Sequence, residues 1–359
     1  MGDTIKILIV DDDVISRKLL RTVLEKESDI EIAGLSCDGE SALMKIPLSK
    51  PDLVTLDIEM PGMGGLEALR QIRASYPHLP VIMYSSHTED GASVTLEALA
   101  AGASDYVTKP EGRTIDGFPL DQLRHDLLPK VRALCSSNDK AQRTPERTVR
   151  GAELQKGHID VVAIGVSTGG PSALAQIIPF IDGDLPVPIL IVQHMPPTFT
   201  RLLAERLDAN TALEVVEASG GELVQAGKIY LAPGNYHMSV TRKLGENRIT
   251  LDQNEKINSC RPAVDVLFNS VAKVYGGNTL AVVLTGMGSD GARGCETIER
   301  AGGSVLIQSE ETSVVWGMPG AVANSGVPHT ELPLNKIANK INCRVSNAGQ
   351  SAGWQAKSA

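Results

Sequence analysis

The chain has 359 residues, of which 42% are hydrophobic and 21% charged, a composition typical of globular proteins and not of disordered ones. The formal net charge of −9 argues against binding to nucleic acid, which needs a basic surface, and against docking on an anionic membrane. No apolar run in the sequence approaches the roughly 18 residues of a membrane span. Three acids follow Val10 directly, so the first apolar run is too short to be the hydrophobic core of a signal peptide. We therefore expect a cytoplasmic protein of about two domains, without membrane insertion.

The cysteines are few and scattered, and no two of them form a C-x-x-C pair. Their spacing predicts neither a zinc site nor a disulfide framework, so we expect reduced thiols. The five are Cys37, Cys135, Cys260, Cys295 and Cys343.

In the N-terminal third, short aliphatic runs alternate with helical periodicity. This alternation predicts βαβ units around a parallel sheet. The aliphatic runs are 5–10, 53–56, 81–84 and 105–107, and the helical patterns are 14–26, 39–46, 65–74 and 91–101.

A polar stretch, residues 136–157, interrupts this pattern and has almost no large apolar side chains, which predicts a linker. Strand–helix alternation then resumes, so a second α/β unit with a mainly parallel sheet is expected, with an added β-hairpin within 228–252. The predicted strands are 160–166, 188–192, 228–231, 279–284 and 304–308. The predicted organisation is a domain at 1–135, a linker at 136–157, a domain at 158–345 and a flexible tail at 346–359.

Acidic residues follow two of the early strands. Asp11 and Asp12 come after the first strand, and Asp57 comes after the strand at 53–56. Because parallel strands end at one edge of a sheet, these carboxylates should meet there and suit Mg²⁺. Ser85 and Lys109 follow later strands at the same edge, where a hydroxyl and an ammonium suit a phosphoryl group. Any one of these five residues, taken alone, is more often an ordinary solvated side chain at the end of a strand.

Four motifs, VDDD, LDIEMPGMGG, the Ser85-Ser86 pair and GASDYVTKP, resemble the receiver domain of response regulators over about residues 4–130. The resemblance implies a doubly wound, flavodoxin-like domain in which Asp57 accepts a phosphoryl group from a sensor histidine kinase. It also implies that Mg²⁺ is held by Asp11, Asp12, Asp57 and the carbonyl of Glu59. Ser85 and Lys109 would then contact the phosphoryl oxygens, and Tyr106 would reorient on activation. The role of Asp13 stays unassigned.

A G-x-S-x-G motif, Gly165 to Gly169, begins in the last two residues of the strand at 160–166 and precedes a helical pattern. Small neighbours on a tight turn expose the Ser167 hydroxyl as a nucleophile, and the helix N-terminus favours negative charge. The same residues resemble a dinucleotide fingerprint with its middle glycine replaced. That fingerprint expects an acid at the end of the next strand, where this sequence has Gln193-His194. A nicotinamide cofactor is thereby disfavoured, whereas a phosphate or oxyanion site stays open.

His194 ends the strand next after Ser167, so the imidazole could reach the hydroxyl and act as its base. The segment TGMGSDG, after the strand at 279–284, brings Asp290 to the same rim, where it could orient the imidazole. Backbone amides of this glycine-rich segment, such as that of Met287, could bind an oxyanion. The alternative for Asp290 is an N-cap of the helix predicted at 291–301.

Five segments of the second domain resemble the catalytic domain of the chemotaxis protein-glutamate methylesterase (CheB) family over about residues 158–345. They are IGVSTGGPSAL, IVQHMPPTFT, YLAPGNYHMSV, CRPAVDVLF and VLTGMGSDGARG. The resemblance implies hydrolysis of glutamyl γ-methyl esters on the cytoplasmic helices of chemoreceptors with release of methanol, and often deamidation of receptor glutamines. It assigns a triad to Ser167, His194 and Asp290. The oxyanion donor would be the Met287 N–H, with the Thr168 N–H as its partner, and hydrolysis would need no cofactor.

Two other functions remain open from the sequence. One is a receiver-controlled nucleotide-binding enzyme that uses the glycine-rich turn, which bound cofactor in the purified protein would reveal. The other is a catalytically inactive signalling adaptor, against which the complete set of triad residues argues. For the favoured function, the polar linker suggests a gate, and we expect the unphosphorylated first domain to inhibit the second.

Overall fold

The computed structural model describes residues 4–86, 88–110, 119–136 and 157–352. The chain divides into two compact units, residues 1–145 and 146–359, and each unit has its own parallel β-sheet. Nearly all of the predicted linker and the last residues of the predicted tail lie outside the described residues. Among the described helices, none has the length and apolar character needed to span a membrane.

The N-terminal unit alternates strands and helices, as the periodicity predicted. Its strands are β1 (Ile5–Val10), β2 (Ile30–Ser36), β3 (Leu53–Asp57), β4 (Val81–Ser85) and β5 (Asp105–Thr108). Its helices are α1 (Val14–Leu24), α2 (Gly39–Ser49), α3 (Gly65–Ser75), α4 (Glu89–Ala100) and α5 (Pro119–Ser136). The strands pair in parallel in the order β2-β1-β3-β4-β5, which is the doubly wound, flavodoxin-like order.

Two local features of this unit escaped the sequence patterns. Strand β2 lies at the edge of the sheet, and most of its residues are only half-buried, so it has no continuous aliphatic run to reveal it. Asp13 is the N-cap of α1: its carboxylate accepts hydrogen bonds from the N–H groups of Ile15 and Ser16 at 3.2 and 3.1 Å. The extra acid beside Asp12 therefore has a structural task in starting the helix.

Gly65 begins α3 directly against the end of β3, and a side chain there has no space. A Cβ atom at this position would lie 1.9 Å from the carbonyl oxygen of Asp57, whereas one at Gly64 would lie 3.6 Å from the nearest atom, the Ile58 oxygen. We expect Gly65→Ala to lower the free energy of unfolding by about 1–3 kcal/mol or more, because backbone must move to admit the methyl group. Scanning calorimetry of the full chain measures this, with Gly64→Ala as the matched control. Equal losses in the two variants would contradict the explanation.

The C-terminal unit is a larger sheet flanked by helices. Its strands are β6 (Val161–Val166), β7 (Ile189–Gln193), β8 (Glu214–Glu217), β9 (Lys228–Leu231), β10 (His237–Lys243), β11 (Glu246–Asp252), β12 (Thr279–Val283), β13 (Ser304–Gln308) and β14 (Thr330–Leu332). Its helices are α6 (Gly170–Ile177), α7 (Pro197–Asp208), α8 (Val264–Tyr275), α9 (Ala292–Arg300), α10 (Gly317–Ser325) and α11 (Leu334–Ala352). Seven strands pair in parallel in the order β14-β13-β12-β6-β7-β9-β8, and β10 and β11 form a separate antiparallel hairpin. The predicted mainly parallel sheet with an added hairpin is confirmed.

Details of this unit differ from the sequence patterns. Strand β9, which was predicted to belong to the hairpin region, pairs with β7 and β8 in the parallel sheet. The hairpin is formed by β10 and β11 and turns at Leu244 and Gly245, which both have positive φ angles. Helix α11 continues to Ala352, several residues into the segment predicted as a flexible tail. The short edge strands β8 and β14 had no sequence signal, because neither is a buried aliphatic run.

The order of the strands locates a crevice in this sheet. Strand β6 has β7 on one side and β12 on the other, so the chain leaves β6 in one direction and later returns on its opposite side. In open parallel sheets, ligands bind at the carboxyl ends of strands where the order reverses in this way. The segments that follow β6, β7 and β12 are those that contain Ser167, His194 and Asp290.

Candidate functional site

Three carboxylates meet at the carboxyl edge of the N-terminal sheet. Asp11, Asp12 and Asp57, here called the acidic cluster, each offer an oxygen within 4.8 Å of the other two. Asp11 and Asp57 are buried, whereas Asp12 is exposed. Lys109 Nζ lies 2.8 Å from Asp57 Oδ2 and 3.1 Å from Asp11 Oδ2. The structure therefore brings together four of the residues that the sequence assigned to this edge.

The charges of the acidic cluster are only partly balanced. Burial and then the neighbouring Asp57 charge raise the pKa of Asp11 to about 6, although Lys109 acts in the opposite direction. Burial also raises the pKa of Asp57, against the lowering effect of Lys109. The buried oxygens Asp11 Oδ2 and Asp57 Oδ2 share Lys109 as their ion-pair partner, so one ammonium faces two buried carboxylates. Crowded oxygen donors with excess negative charge fit a hard divalent cation such as Mg²⁺.

Ser85 lies at the end of β4, but its hydroxyl is directed into the fold. Ser85 Oγ accepts a hydrogen bond from Thr95 Oγ1 at 2.6 Å and donates to the carbonyl oxygen of Gly91 at 3.2 Å. Both partners belong to α4. A contact between Ser85 and a phosphoryl group would thus require the hydroxyl to leave these partners.

Two aromatic side chains of the N-terminal unit lie close to lysines. Lys109 Nζ lies 5.3 Å from the ring centre of Tyr84, a buried residue that the sequence motifs did not single out. Tyr106 is buried too, and Lys130 Nζ lies 5.0 Å from the centre of its ring. Glu59 follows Asp57 after one residue and is exposed.

Ser167 follows β6 on a turn that its glycines make possible, each for a different reason. A Cβ atom on Gly165 would come within 2.3 Å of Val264 Cγ1, so this glycine lets α8 pack closely on β6. Gly169 has a φ of +75°, which favours glycine, and it is the N-cap of α6. The first glycine of the G-x-S-x-G motif therefore allows close packing and the last allows the turn, and Ser167 between them is partly exposed.

The loop after β12 lies directly against Ser167. The Ser167 N–H donates to the Thr285 carbonyl oxygen at 3.0 Å, and a Cβ atom on Gly286 would lie 2.8 Å from Ser167 Cβ. Met287 is the next residue of this loop. Within the described part of the chain, neither the Met287 N–H nor the Thr168 N–H donates a hydrogen bond. Neither amide is therefore committed to another described group, and Thr168 directly follows Ser167 in the chain.

His194 and Asp290 form a buried hydrogen-bonded pair. His194 Nε2 lies 2.9 Å from Asp290 Oδ2, and the two side chains are 13% and 3% exposed. Burial alone would lower the pKa of His194, but the hydrogen bonds with Asp290 and Cys260 raise it to about 9. Burial alone would raise the pKa of Asp290, yet the bond from His194 and two backbone N–H groups hold it below its usual value. Asp290 is thus an ionised carboxylate suited to orienting an imidazole and stabilising its protonated form.

The hydroxyl of Ser167 forms no hydrogen bond with His194 or Asp290. The two strand ends are adjacent, because the His194 N–H donates to the Val166 carbonyl oxygen at 3.3 Å. No hydrogen bond joins Ser167 Oγ to another described residue. The second ring nitrogen of His194, Nδ1, lies 3.6 Å from Cys260 Sγ.

Asp290 does not cap the helix that follows it, so that alternative is wrong. The N-cap of α9 is Gly291, and the N–H groups of Gly291 and Gly294 donate to Asp265 Oδ1 at 3.0 and 2.8 Å. Asn258 Nδ2 donates to both Asp265 and Asp290, each at 3.0 Å. No sequence pattern singles out Asn258, Asp265 or Cys260, although the last two lie in the segment CRPAVDVLF, because their roles depend on contacts across the fold.

Gln193 occupies the place where a dinucleotide fingerprint expects an acid. Its Nε2 donates to the carbonyl oxygens of Ser167 and His194 at 3.1 and 3.3 Å. The side chain thus ties the two strand ends together and offers no carboxylate to a ribose. This arrangement favours a hydrolytic centre over a nucleotide site at the turn.

Comparisons with known proteins agree with both units. Residues 162–341 match the family described as CheB methylesterase, and residues 7–115 match the response regulator receiver domain. A protein of Trichodesmium erythraeum named protein-glutamate methylesterase/protein-glutamine glutaminase is 47% identical, over 95% of this chain and 99% of its own length. A protein of Caulobacter vibrioides, with the same name and the number 2, is 45% identical over 95% of this chain and 99% of its own length. The crystal structure of the Thermotoga maritima CheB methylesterase catalytic domain is 44% identical and covers 51% of this chain and 97% of its own, with a TM-score of 0.50.

The fold and the family matches define a response-regulator hydrolase, in which a receiver domain precedes a catalytic α/β domain. More specifically, the chain belongs to the CheB methylesterase family.

Proposed function

We propose that this protein is a phosphorylation-regulated serine hydrolase that removes methyl esters from glutamyl side chains of chemoreceptors. The observation that carries the proposal is the juxtaposition of Ser167 with the His194–Asp290 pair and with two unused amides at one crevice. Relatives named methylesterase/glutaminase along nearly the full chain support the substrate class, and the same chemistry on a glutamine would release ammonia. The reaction would take place in the cytoplasm, on the signalling helices of the receptors.

In the proposed mechanism, Ser167 Oγ attacks the ester carbonyl while the neutral form of His194 takes its proton; because the pKa of His194 is raised to about 9, this form becomes more abundant as the pH rises toward that value. Because Asp290 occupies Nε2, the nitrogen that receives the proton is Nδ1, toward which the Ser167 hydroxyl must turn. His194 then gives the proton to the departing methanol, and water hydrolyses the glutamyl-enzyme with the same base. The N–H groups of Met287 and Thr168 stabilise the negative charge that develops on the carbonyl oxygen.

We propose that the acidic cluster controls this reaction. Asp57 would accept the phosphoryl group from a sensor histidine kinase, and Asp11, Asp12, Asp57 and the Glu59 carbonyl would hold Mg²⁺. The metal supplies charge neutralisation for a phosphoryl group among carboxylates. Lys109, already paired with Asp57, and Ser85 would contact the phosphoryl oxygens, and Tyr106 would reorient.

The decisive experiment measures methanol released from membranes that carry a methylated chemoreceptor. The full chain should release methanol, and a serine-directed phosphonate should stop it by forming an adduct at Ser167. Absence of both methanol release and adduct would favour the adaptor function. Release of a bound nucleotide from the purified protein would favour the nucleotide-binding alternative.

Phosphorylation should raise the rate of the full chain. We expect acetyl phosphate with Mg²⁺ to increase methanol release on the order of tenfold, since couplings between sites typically amount to about 1–3 kcal/mol, or about 5–150-fold. A shortened chain beginning at Gly151 should also be faster than the unphosphorylated full chain, if the first domain inhibits. A catalytic domain of this family has been crystallised without its receiver, so such a chain should fold. A shortened chain slower than the full chain would contradict inhibition and indicate that the receiver activates or docks.

A further inference from the structure

Cys260 approaches the candidate catalytic histidine from the side opposite Asp290. Cys260 Sγ lies 3.6 Å from His194 Nδ1, and the thiol is partly exposed. A tight turn holds the cysteine in place, because the N–H and carbonyl groups of Ile257 and Cys260 exchange hydrogen bonds at 3.1 and 2.8 Å. The proposed mechanism assigns no role to this thiol.

The separation of these two atoms suits one tetrahedral metal ion. Zinc binds sulfur at about 2.3 Å and imidazole nitrogen at about 2.0 Å, which puts the two ligand atoms about 3.5 Å apart at a tetrahedral angle. The observed 3.6 Å between Sγ and Nδ1 is close to this spacing. A soft thiolate and an imidazole are also the ligands that zinc prefers over magnesium or calcium.

The surroundings of His194 match those of a metal-ligating histidine. Such a histidine usually donates its other ring N–H to a carboxylate, which fixes the tautomer and orients the ring. His194 Nε2 has this partner in Asp290 Oδ2 at 2.9 Å. Asp290 also accepts hydrogen bonds from Asn258 and from the N–H groups of Val264 and Asp265, so its lone pairs are occupied. Asp290 therefore supports the site from behind, and water would complete the coordination.

We propose that Cys260 Sγ and His194 Nδ1 form an inhibitory binding site for Zn²⁺. Binding displaces the thiol proton and, where His194 is protonated, the proton on Nδ1; both protons leave to solvent, and the metal takes the lone pair of Nδ1. That nitrogen is then no longer able to take the proton of Ser167. The inhibition rests on the proposed function, whereas the binding of the metal does not depend on it.

Binding can be tested with Co²⁺ as a spectroscopic substitute for zinc. The full chain, kept reduced and in excess Mg²⁺ to fill the acidic cluster, should develop the near-ultraviolet absorption of a thiolate bound to Co²⁺. The oxygen ligands of the acidic cluster give no such absorption. Cys260→Ser should abolish the signal and His194→Ala should weaken it, while Cys37→Ser, which alters an exposed thiol, should retain it. An absent signal in the parent protein, or a signal that survives Cys260→Ser, would overturn the proposal.

Inhibition is measured on the same proteins by methanol release. Zn²⁺ should inhibit the parent protein reversibly, with recovery on addition of a chelator, and Cys260→Ser should need at least about tenfold more Zn²⁺, as for loss of one ligand or its support. Circular dichroism, with Cys260→Ala as a second variant, checks that the fold survives. Equal inhibition of the parent and both variants would refute a role for Cys260. A Co²⁺ signal in a protein that releases no methanol would refute the proposed function and leave the metal site standing.

Discussion

Replacing Ser167 with alanine should lower methyl-ester hydrolysis by roughly 10⁴-fold or more, the loss typical of a triad nucleophile. The Ser167 hydroxyl makes no hydrogen bond with a described residue, so its removal should leave stability nearly unchanged. His194→Ala should be comparably severe, because the residues of a triad act as one unit. Asp290 would keep its bonds from Asn258, Val264 and Asp265 in that variant, so the fold should hold.

A matched control for this experiment lies on the same rim. Ser289→Ala removes an exposed serine hydroxyl from the loop that contains Met287 and should retain activity. Methanol release and adduct formation with a serine-directed phosphonate give two independent readouts, and circular dichroism checks the fold. Near-parent hydrolysis by either Ser167→Ala or His194→Ala would end the proposed mechanism.

Replacing Asp57 with alanine should abolish labelling by a small phosphodonor such as acetyl phosphate. Labelling of the parent protein should also disappear in excess EDTA, because a phosphoryl group carries close to two negative charges and would lie among carboxylates. Burial already raises the pKa values of Asp11 and Asp57, so the cluster disfavours further negative charge without a cation. Loss of Asp57 relieves the repulsion on Asp11, and the variant should therefore fold.

Glu59→Ala provides the matched control for the phosphoacceptor. It removes an exposed carboxylate close to Asp57 but keeps the backbone carbonyl that would bind Mg²⁺. Labelling measured by intact mass should therefore persist in Glu59→Ala and be absent in Asp57→Ala. Persistent labelling of Asp57→Ala, or full labelling of the parent protein in EDTA, would remove Asp57 from this role.

Much of the candidate catalytic site could be anticipated, because its residues follow strands in one parallel sheet. Strand ends are visible as aliphatic runs, and parallel strands bring whatever follows them to one edge. Ser167, His194 and Asp290 therefore converge although many residues separate them in the chain, and His194 and Asp290 meet at 2.9 Å. Their catalytic roles stay predictions until the variants are measured.

The supporting contacts could not be anticipated in the same way. The sequence does not decide whether Asp290 caps α9 or pairs with His194. An aspartate just before a helix is compatible with either role. Packing of α8 on β6, which Gly165 permits, brings Asp265 to the start of α9 and leaves Asp290 for the imidazole. Ser85 shows the opposite case, because its position was predicted but its hydroxyl bonds to α4.

The sequence by itself determined the two α/β units, the strands that are buried on both faces and the edges at which polar residues gather. Hydrophobic periodicity carries this information, since it depends on neighbours only a few residues apart. Tertiary structure alone decided the edge strands β2, β8 and β14, whose half-exposed residues carry a weak pattern. Tertiary structure also decided the contacts between distant residues. In the sequence, Cys260 has no cysteine or histidine at a spacing typical of metal sites, yet its sulfur lies 3.6 Å from His194 Nδ1. Contacts of this kind come from the packing of distant segments, which local pattern does not encode.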